Sequence, residues 1–194
     1  MGKVLSKNGY TLSVEPDDCG TDNDPRQWDN LGKMVCFHGR YNLGDKHDFK
    51  TPQDFKAYLE GDEFGSEVVV KLPLYLYDHS GITMSTSSFN DSWDSGQVGV
   101  IYATAQDVLK EYGNGAKVVT PEMVEKATKA LEAEVKIYDT YIRNDIYMFS
   151  IEDEDGEVVD SCGGFFGEED AIGDGKLALN RLAKRKGGGK HGKD

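Results

Sequence analysis

A chain of 194 residues with 38% hydrophobic content has enough apolar material for one well-buried domain. Its 35 acidic residues against 22 basic ones give a net charge of −13, and because residues 184–194 hold five of the bases and one acid, residues 1–183 carry −17. So acidic a body repels nucleic acid, whose binding rests on Lys and Arg replacing counterions; no apolar run approaches the ~20 residues that cross a bilayer, and three widely spaced cysteines argue against a disulfide framework and for a reducing compartment.

The alternation of residues 10–15 predicts a half-buried strand, ended by a loop over residues 16–25. Residues 33–39 read as a second strand leading into a polar turn region, 39–48. A short helix follows over 51–60, with Thr51 as N-cap, Pro52 in the first turn and Gly61 as its end. The long apolar segment 66–77 carries Pro73, which removes a ladder donor and predicts an edge position or a bend. Strands are expected at 82–87 and 97–104, separated by the polar loop 88–96. Thr104 then caps a short helix that stops at Gly113-Asn114-Gly115.

The clearest element is a helix from Thr120 and Pro121 to about Arg143, because Val124, Ala127, Leu131, Val135, Tyr138 and Ile142 recur at steps of three and four. Residues 146–151 and 157–162 flank Asp153-Glu154-Asp155-Gly156, the pattern of a β-hairpin with Asp-Gly at its turn. A last helix is expected from Glu168 to about Lys186, weakened by Gly173 and Gly175. The expectation is a single α+β domain over residues 1–183, a mostly antiparallel sheet packed by one long helix with a C-terminal hairpin and helix, and a flexible basic Gly-rich tail at 184–194.

Both tryptophans and three of the four histidines fall in residues 28–48 and 77–97. His38, His47, Asp78 and His79 have the donor types of a divalent-metal site, with Asp45, Asp48 or Asp94 as further oxygen donors, but His38 and His47 are nine residues apart across two glycines rather than on one rigid turn, and no metal or cofactor is expected. Ser80 beside His79 and Asp78, Ser95 beside Asp94, and Cys36 two residues before His38 are the nucleophile pairings. Neighbours such as Asp78 and His79 point to opposite strand faces, whereas Cys36 and His38 would share one, and Ser95 lacks the Gly-x-Ser-x-Gly setting of a nucleophile elbow. Trp28 and Trp93 offer flat surfaces for a base or sugar, with Arg40, Lys46 and His79 to meet phosphate. That set, Trp28, His38, Arg40, His47, Asp78, His79, Trp93 and Asp94, is the ligand-binding alternative, a binder or hydrolase of nucleotide-like molecules.

The other concentration is acidic. Glu152, Asp153, Glu154, Asp155, Glu157 and Asp160, then Glu168, Glu169 and Asp170, can imitate the phosphates of a duplex, about one charge per 1.7 Å of axis, and so fill a basic channel. Glu122, Glu125, Glu132, Glu134 and Asp139 on the long helix would add to them, diluted by Lys126, Lys129 and Lys136.

Four segments carry a resemblance: Trp28-Asp29-Asn30-Leu31-Gly32 through Asp45-Lys46-His47, Leu72-Pro73-Leu74-Tyr75-Leu76-Tyr77-Asp78-His79-Ser80-Gly81-Ile82-Thr83-Met84, Trp93-Asp94-Ser95-Gly96-Gln97-Val98-Gly99, and Asp160-Ser161-Cys162 with Gly164-Phe165. Together they resemble a family of uncharacterised proteins encoded by bacteriophages and mobile elements, over residues 14–167. By association the resemblance implies a counter-defence factor of anti-CRISPR or anti-restriction type in the host-cell cytoplasm. Its expected partner is a host defence protein with a basic groove, with no direct binding to nucleic acid and no membrane.

Overall fold

The computed structural model describes residues 3–18, 23–61, 67–91 and 93–188. In chain order the elements are β1 (Lys3–Lys7), β2 (Tyr10–Pro16), a 3-10 turn (Pro25–Gln27), β3 (Lys33–Cys36), α1 (Pro52–Glu60), β4 (Val68–Asp78), β5 (Ile82–Ser85), β6 (Ser95–Thr104), α2 (Ala105–Tyr112), α3 (Pro121–Ile142), β7 (Ile146–Glu152), β8 (Val158–Phe166) and α4 (Glu168–Gly188). The fold is α+β, with the strands in two four-stranded antiparallel sheets. They belong to two compact units, one of residues 1–24 and 144–194, the other of residues 25–143.

In the first unit the strand order is β1-β2-β7-β8. β1 has no counterpart in the sequence reading. It exists because Asn8 and Gly9, at φ 52° and 79°, make the two-residue turn whose twist suits a hairpin. α4 covers the face carrying Leu12, Val14, Phe149 and Ile151, through Ala171, Ala178 and Leu179. Gly175, counted against this helix by propensity, is where it approaches the sheet: a Cβ there would lie 2.7 Å from a methyl of Leu12. The helix continues to Gly188, so residues 184–188 of the expected tail are helical, and 189–194 lie outside the described residues. Asp153 shapes the β7–β8 turn by accepting the amides of Asp155 (2.9 Å) and Glu157 (3.1 Å).

In the second unit the order is β3-β6-β4-β5. The α3 stripe lands as its periodicity requires: Ala127, Leu131, Val135 and Tyr138 are buried against Met34, Leu74, Leu76, Met84 and Ile101. On the opposite face Phe55 and Leu59 of α1 cover Val35 and Tyr102. β3 is therefore buried on both faces, which is why residues 33–36 show no polar alternation. Thr51 and Thr104 close reciprocal capping boxes with Asp54 and Asp107, and Thr120 caps α3.

β4 lies between β6 and β5, yet Pro73 is tolerated for the reason expected of an edge. β5 pairs only with Tyr75 to Asp78, so at Pro73 the sole described partner of β4 is β6.

Candidate functional site

Asp78 ends β4, and its amide donates to the Asp94 carbonyl at 2.8 Å, seating the segment before β6 beside the β4–β5 turn. That segment is shaped by Asp91, whose Oδ1 accepts the amide of Trp93 at 2.9 Å and that of Asp94 at 3.4 Å. The β4–β5 turn itself runs through Ser80 and Gly81, both at positive φ (58° and 152°).

From the loop after β3, His38 Nδ1 accepts the amides of Arg40 and Tyr41, both at 3.3 Å. This pattern assigns the proton of the neutral ring to Nε2, which faces Asp78 Oδ2 at 4.0 Å. Arg40 donates to the same Asp78 oxygen, and the Tyr41 hydroxyl donates to the other at 3.4 Å. The His38 and Tyr41 rings stack with centroids 5.0 Å apart and planes 9° from parallel. Next to this, His79 Nδ1 lies 2.9 Å from Asp94 Oδ2.

Five of the eight ligand-alternative residues are thus brought into two adjoining polar clusters: His38, Arg40 and Asp78 in one, His79 and Asp94 in the other. Trp93, the neighbour of Asp94, is 95% exposed. Trp28 and His47 do not join them. Trp28, 42% exposed, follows the 3-10 turn, where its carbonyl accepts from Asn30. His47 packs on Phe37 at 4.9 Å with Nε2 3.0 Å from the Cys36 carbonyl, which makes Nε2 the donor and leaves Nδ1 buried as an acceptor without a partner. Of the three groups read as meeting phosphate, Arg40 and His79 each face a carboxylate of the protein, while Lys46 is exposed.

Cys36 is no nucleophile. It is packed in the α3 core, and burial first, then the nearby negative charge of Asp45, pushes its thiol up to about 12. The Ser95 hydroxyl donates to the Asp91 carbonyl rather than to a base. Among the described residues no group of three or more His, Cys, Asp and Glu side chains gathers as a metal site would need.

A thiol-directed reagent should therefore modify exposed Cys162 in the native protein and reach Cys36 only on unfolding, as read by mass spectrometry of a Cys19→Ser variant. Rapid native labelling of Cys36 would contradict its placement. The unfolded thiol ionises near 9.0 and the folded one at about 12, so stability present below pH 9 is lost as pH rises toward 12. Urea unfolding at pH 10.5 should show roughly 2 kcal/mol less stability than at pH 8 from this group.

The sequence reading missed a buried, many-partnered polar residue. The Arg26 side chain, 2% exposed, holds Asp45 through two nitrogens (2.8 and 2.9 Å), Glu134 at 3.0 Å and the Gly32 carbonyl at 2.7 Å. Burial alone would lower its pKa, but the two carboxylates hold it above the ordinary arginine value. Glu134 also accepts the amides of Leu31 (2.8 Å) and Gly32 (3.1 Å), and Asp45 that of Met34 (2.7 Å).

This corrects the acidic face read on α3. Glu134 turns inward, Asp139 accepts the Met84 amide at 2.7 Å, and Glu122 and Glu125 pair with Lys126 and Lys129 at 2.7 and 2.6 Å. Glu132 stays exposed on α3, and the other acidic residues read as phosphate mimics lie in the first unit. Glu152, Glu154, Asp155 and Glu157 are exposed around the β7–β8 turn, Asp153 and Asp160 are half-buried, and Glu168, Glu169 and Asp170 are exposed in the first turn of α4, where carboxylates suit the helix dipole.

No helix among the described residues is long and apolar enough to cross a membrane. No protein-family model matches the chain, and no curated protein or solved structure matches it.

Proposed function

We propose that this chain is a phage-encoded, non-catalytic inhibitor of a host defence complex, acting in the host-cell cytoplasm by occupying a basic nucleic-acid-binding surface. The observation that carries the reading is electrostatic: residues 144–175 hold eleven acidic residues and no basic one. Seven of those carboxylates are exposed on two elements of one unit, the β7–β8 hairpin and the start of α4. A groove lined by Lys and Arg binds a duplex largely through release of counterions from closely spaced phosphates. Carboxylates presented on a folded scaffold compete for the same cations, and their field speeds the encounter.

The test is phage plating on hosts that each carry one restriction or CRISPR system, with and without the protein. Rescue is expected in one background, and it should be lost when Glu152, Glu154, Asp155 and Glu157 are all changed to Lys, with affinity for the captured complex falling by roughly 100-fold or more. His79→Ala should leave rescue intact. The ligand-binding alternative, a nucleotide-like molecule held by His38, Arg40, Asp78, His79, Trp93 and Asp94, expects the opposite pair of results. Absence of rescue in every background, with no host protein bound, ends the inhibitor reading.

A further inference from the structure

Two features of the second unit stand open among the described residues. The first is Trp93, whose indole is 95% exposed although its backbone is fixed by Asp91. A large aromatic side chain is rarely left so open, and one held out on an ordered turn has already lost much of the freedom that binding would cost. The second is an open groove of about 510 Å³ between α1 and the sheet, lined by Phe37, Phe55, Leu59 and Val98, within the size range of pockets that bury small aromatic groups.

Their charges are complementary. Trp93 is flanked by Asp91 and Asp94, whereas the groove is edged by Lys56, Glu60 and Lys71, one more positive charge than negative. Lys56 lies 3.9 Å from Glu60 of its own helix, and Lys71 has no ion-pair partner among the described residues. A Trp93 seated in such a groove would bring the Asp91 and Asp94 carboxylates toward an unpaired lysine.

We propose that the chain forms a two-fold dimer in which Trp93 of each copy enters the α1 groove of the other, with Asp94 meeting Lys71 across the interface. Both halves of the contact lie on one unit, so the same two patches are used by each copy; the dimer closes when knob and groove face a common two-fold axis, and open-ended growth is the other outcome of such a contact. The dimer does not involve the acidic hairpin and goes beyond the inhibitor reading.

Sedimentation velocity of the full chain at physiological salt tests it, alongside acrylamide quenching of a Trp28→Phe variant in which only Trp93 emits. The expected result is a monomer–dimer equilibrium, with Trp93 becoming less quenchable as the dimer fills. Trp93→Ala should weaken the dimer about 30-fold or more, the scale of an interface hot spot, with its thermal midpoint as a monomer unchanged. Val98→Glu, on the groove side, should also weaken the dimer, with a lower thermal midpoint because Val98 packs against the α3 core as well. Lys71→Asp and Asp94→Lys should each associate poorly alone and recover when mixed, since the loop bearing Asp94 is held by Asp91. The quadruple lysine variant of the hairpin should still dimerise, which separates this proposal from the inhibitor reading. A chain that stays monomeric with Trp93 equally quenched at every concentration, a dimer that survives Trp93→Ala, or open-ended growth into larger species would each overturn it.

Discussion

Arg26→Leu should destabilise the protein by about 3–5 kcal/mol, measured by urea unfolding at neutral pH. The cost comes less from lost attraction than from what stays behind. Asp45 and Glu134 would retain their charges with the cation gone, and the Glu134 side chain is only 13% exposed. Three amides, of Leu31 and Gly32 before β3 and of Met34 within it, are oriented by those carboxylates, so the entry into β3 should loosen with them. Arg26→Lys keeps the charge but cannot reach both carboxylates and the Gly32 carbonyl at once, and should fall between the two. Adding Asp45→Asn and Glu134→Gln to Arg26→Leu should recover part of the loss, because the uncompensated charges disappear while acceptors for the amides remain. A cost below about 1 kcal/mol for Arg26→Leu would show that the network is not holding the fold together.

The same network shows which parts of the molecule were legible in the sequence. Elements whose signals are local were read nearly to the residue: the Thr51, Thr104 and Thr120 caps, the Asp-Gly hairpin and the buried stripe of α3. β1 had a local signal too, in Asn8-Gly9, but its strand was not read from it. The division of eight strands between two sheets has no local signature, because β2 pairs with β7 across more than a hundred residues while β3 to β6 pair among themselves. Glu134 illustrates the limit in another way. It lies three residues after Leu131 and four before Tyr138, hence on the margin of the apolar stripe, where a carboxylate is solvated unless a partner arrives from elsewhere in the chain. Arg26 is that partner, and nothing in the residues around it marks it as buried. For the candidate site, residue types located the cluster, and tertiary contacts separated His38, Arg40, Asp78, His79 and Asp94 from His47 and Trp28.

One methyl group at Gly99 should cost about 3 kcal/mol or more, at or beyond the upper end for overpacking, because it has no side chain to push aside. Gly99 sits in β6 opposite Cys36 of β3 and Leu74 of β4, beside the irregularity where β4 pairing passes from Leu74 to Tyr75. A Cβ at this position would lie 2.2 Å from the Val35 carbonyl oxygen and 2.9 Å from the Cys36 Cα. Both atoms belong to the β3 backbone, so β3 would have to leave β6 rather than rotate a side chain. That movement withdraws Met34 and Cys36 from the α3 core and Val35 from the α1 cluster together, since β3 is buried on both faces. Gly96→Ala, three residues earlier in the same strand, supplies the control: its Cβ would meet nothing within 4 Å, and the change should stay within roughly 0.5 kcal/mol. Urea unfolding of the two variants, with amide hydrogen exchange read at residues 33–36, separates local loosening of β3 from global destabilisation. Equal stability of the Gly99→Ala and Gly96→Ala proteins would mean that β3 does not dock against β6 at the observed distance, and the placement of the Asp45 and His38 loops that follow from it would fall as well.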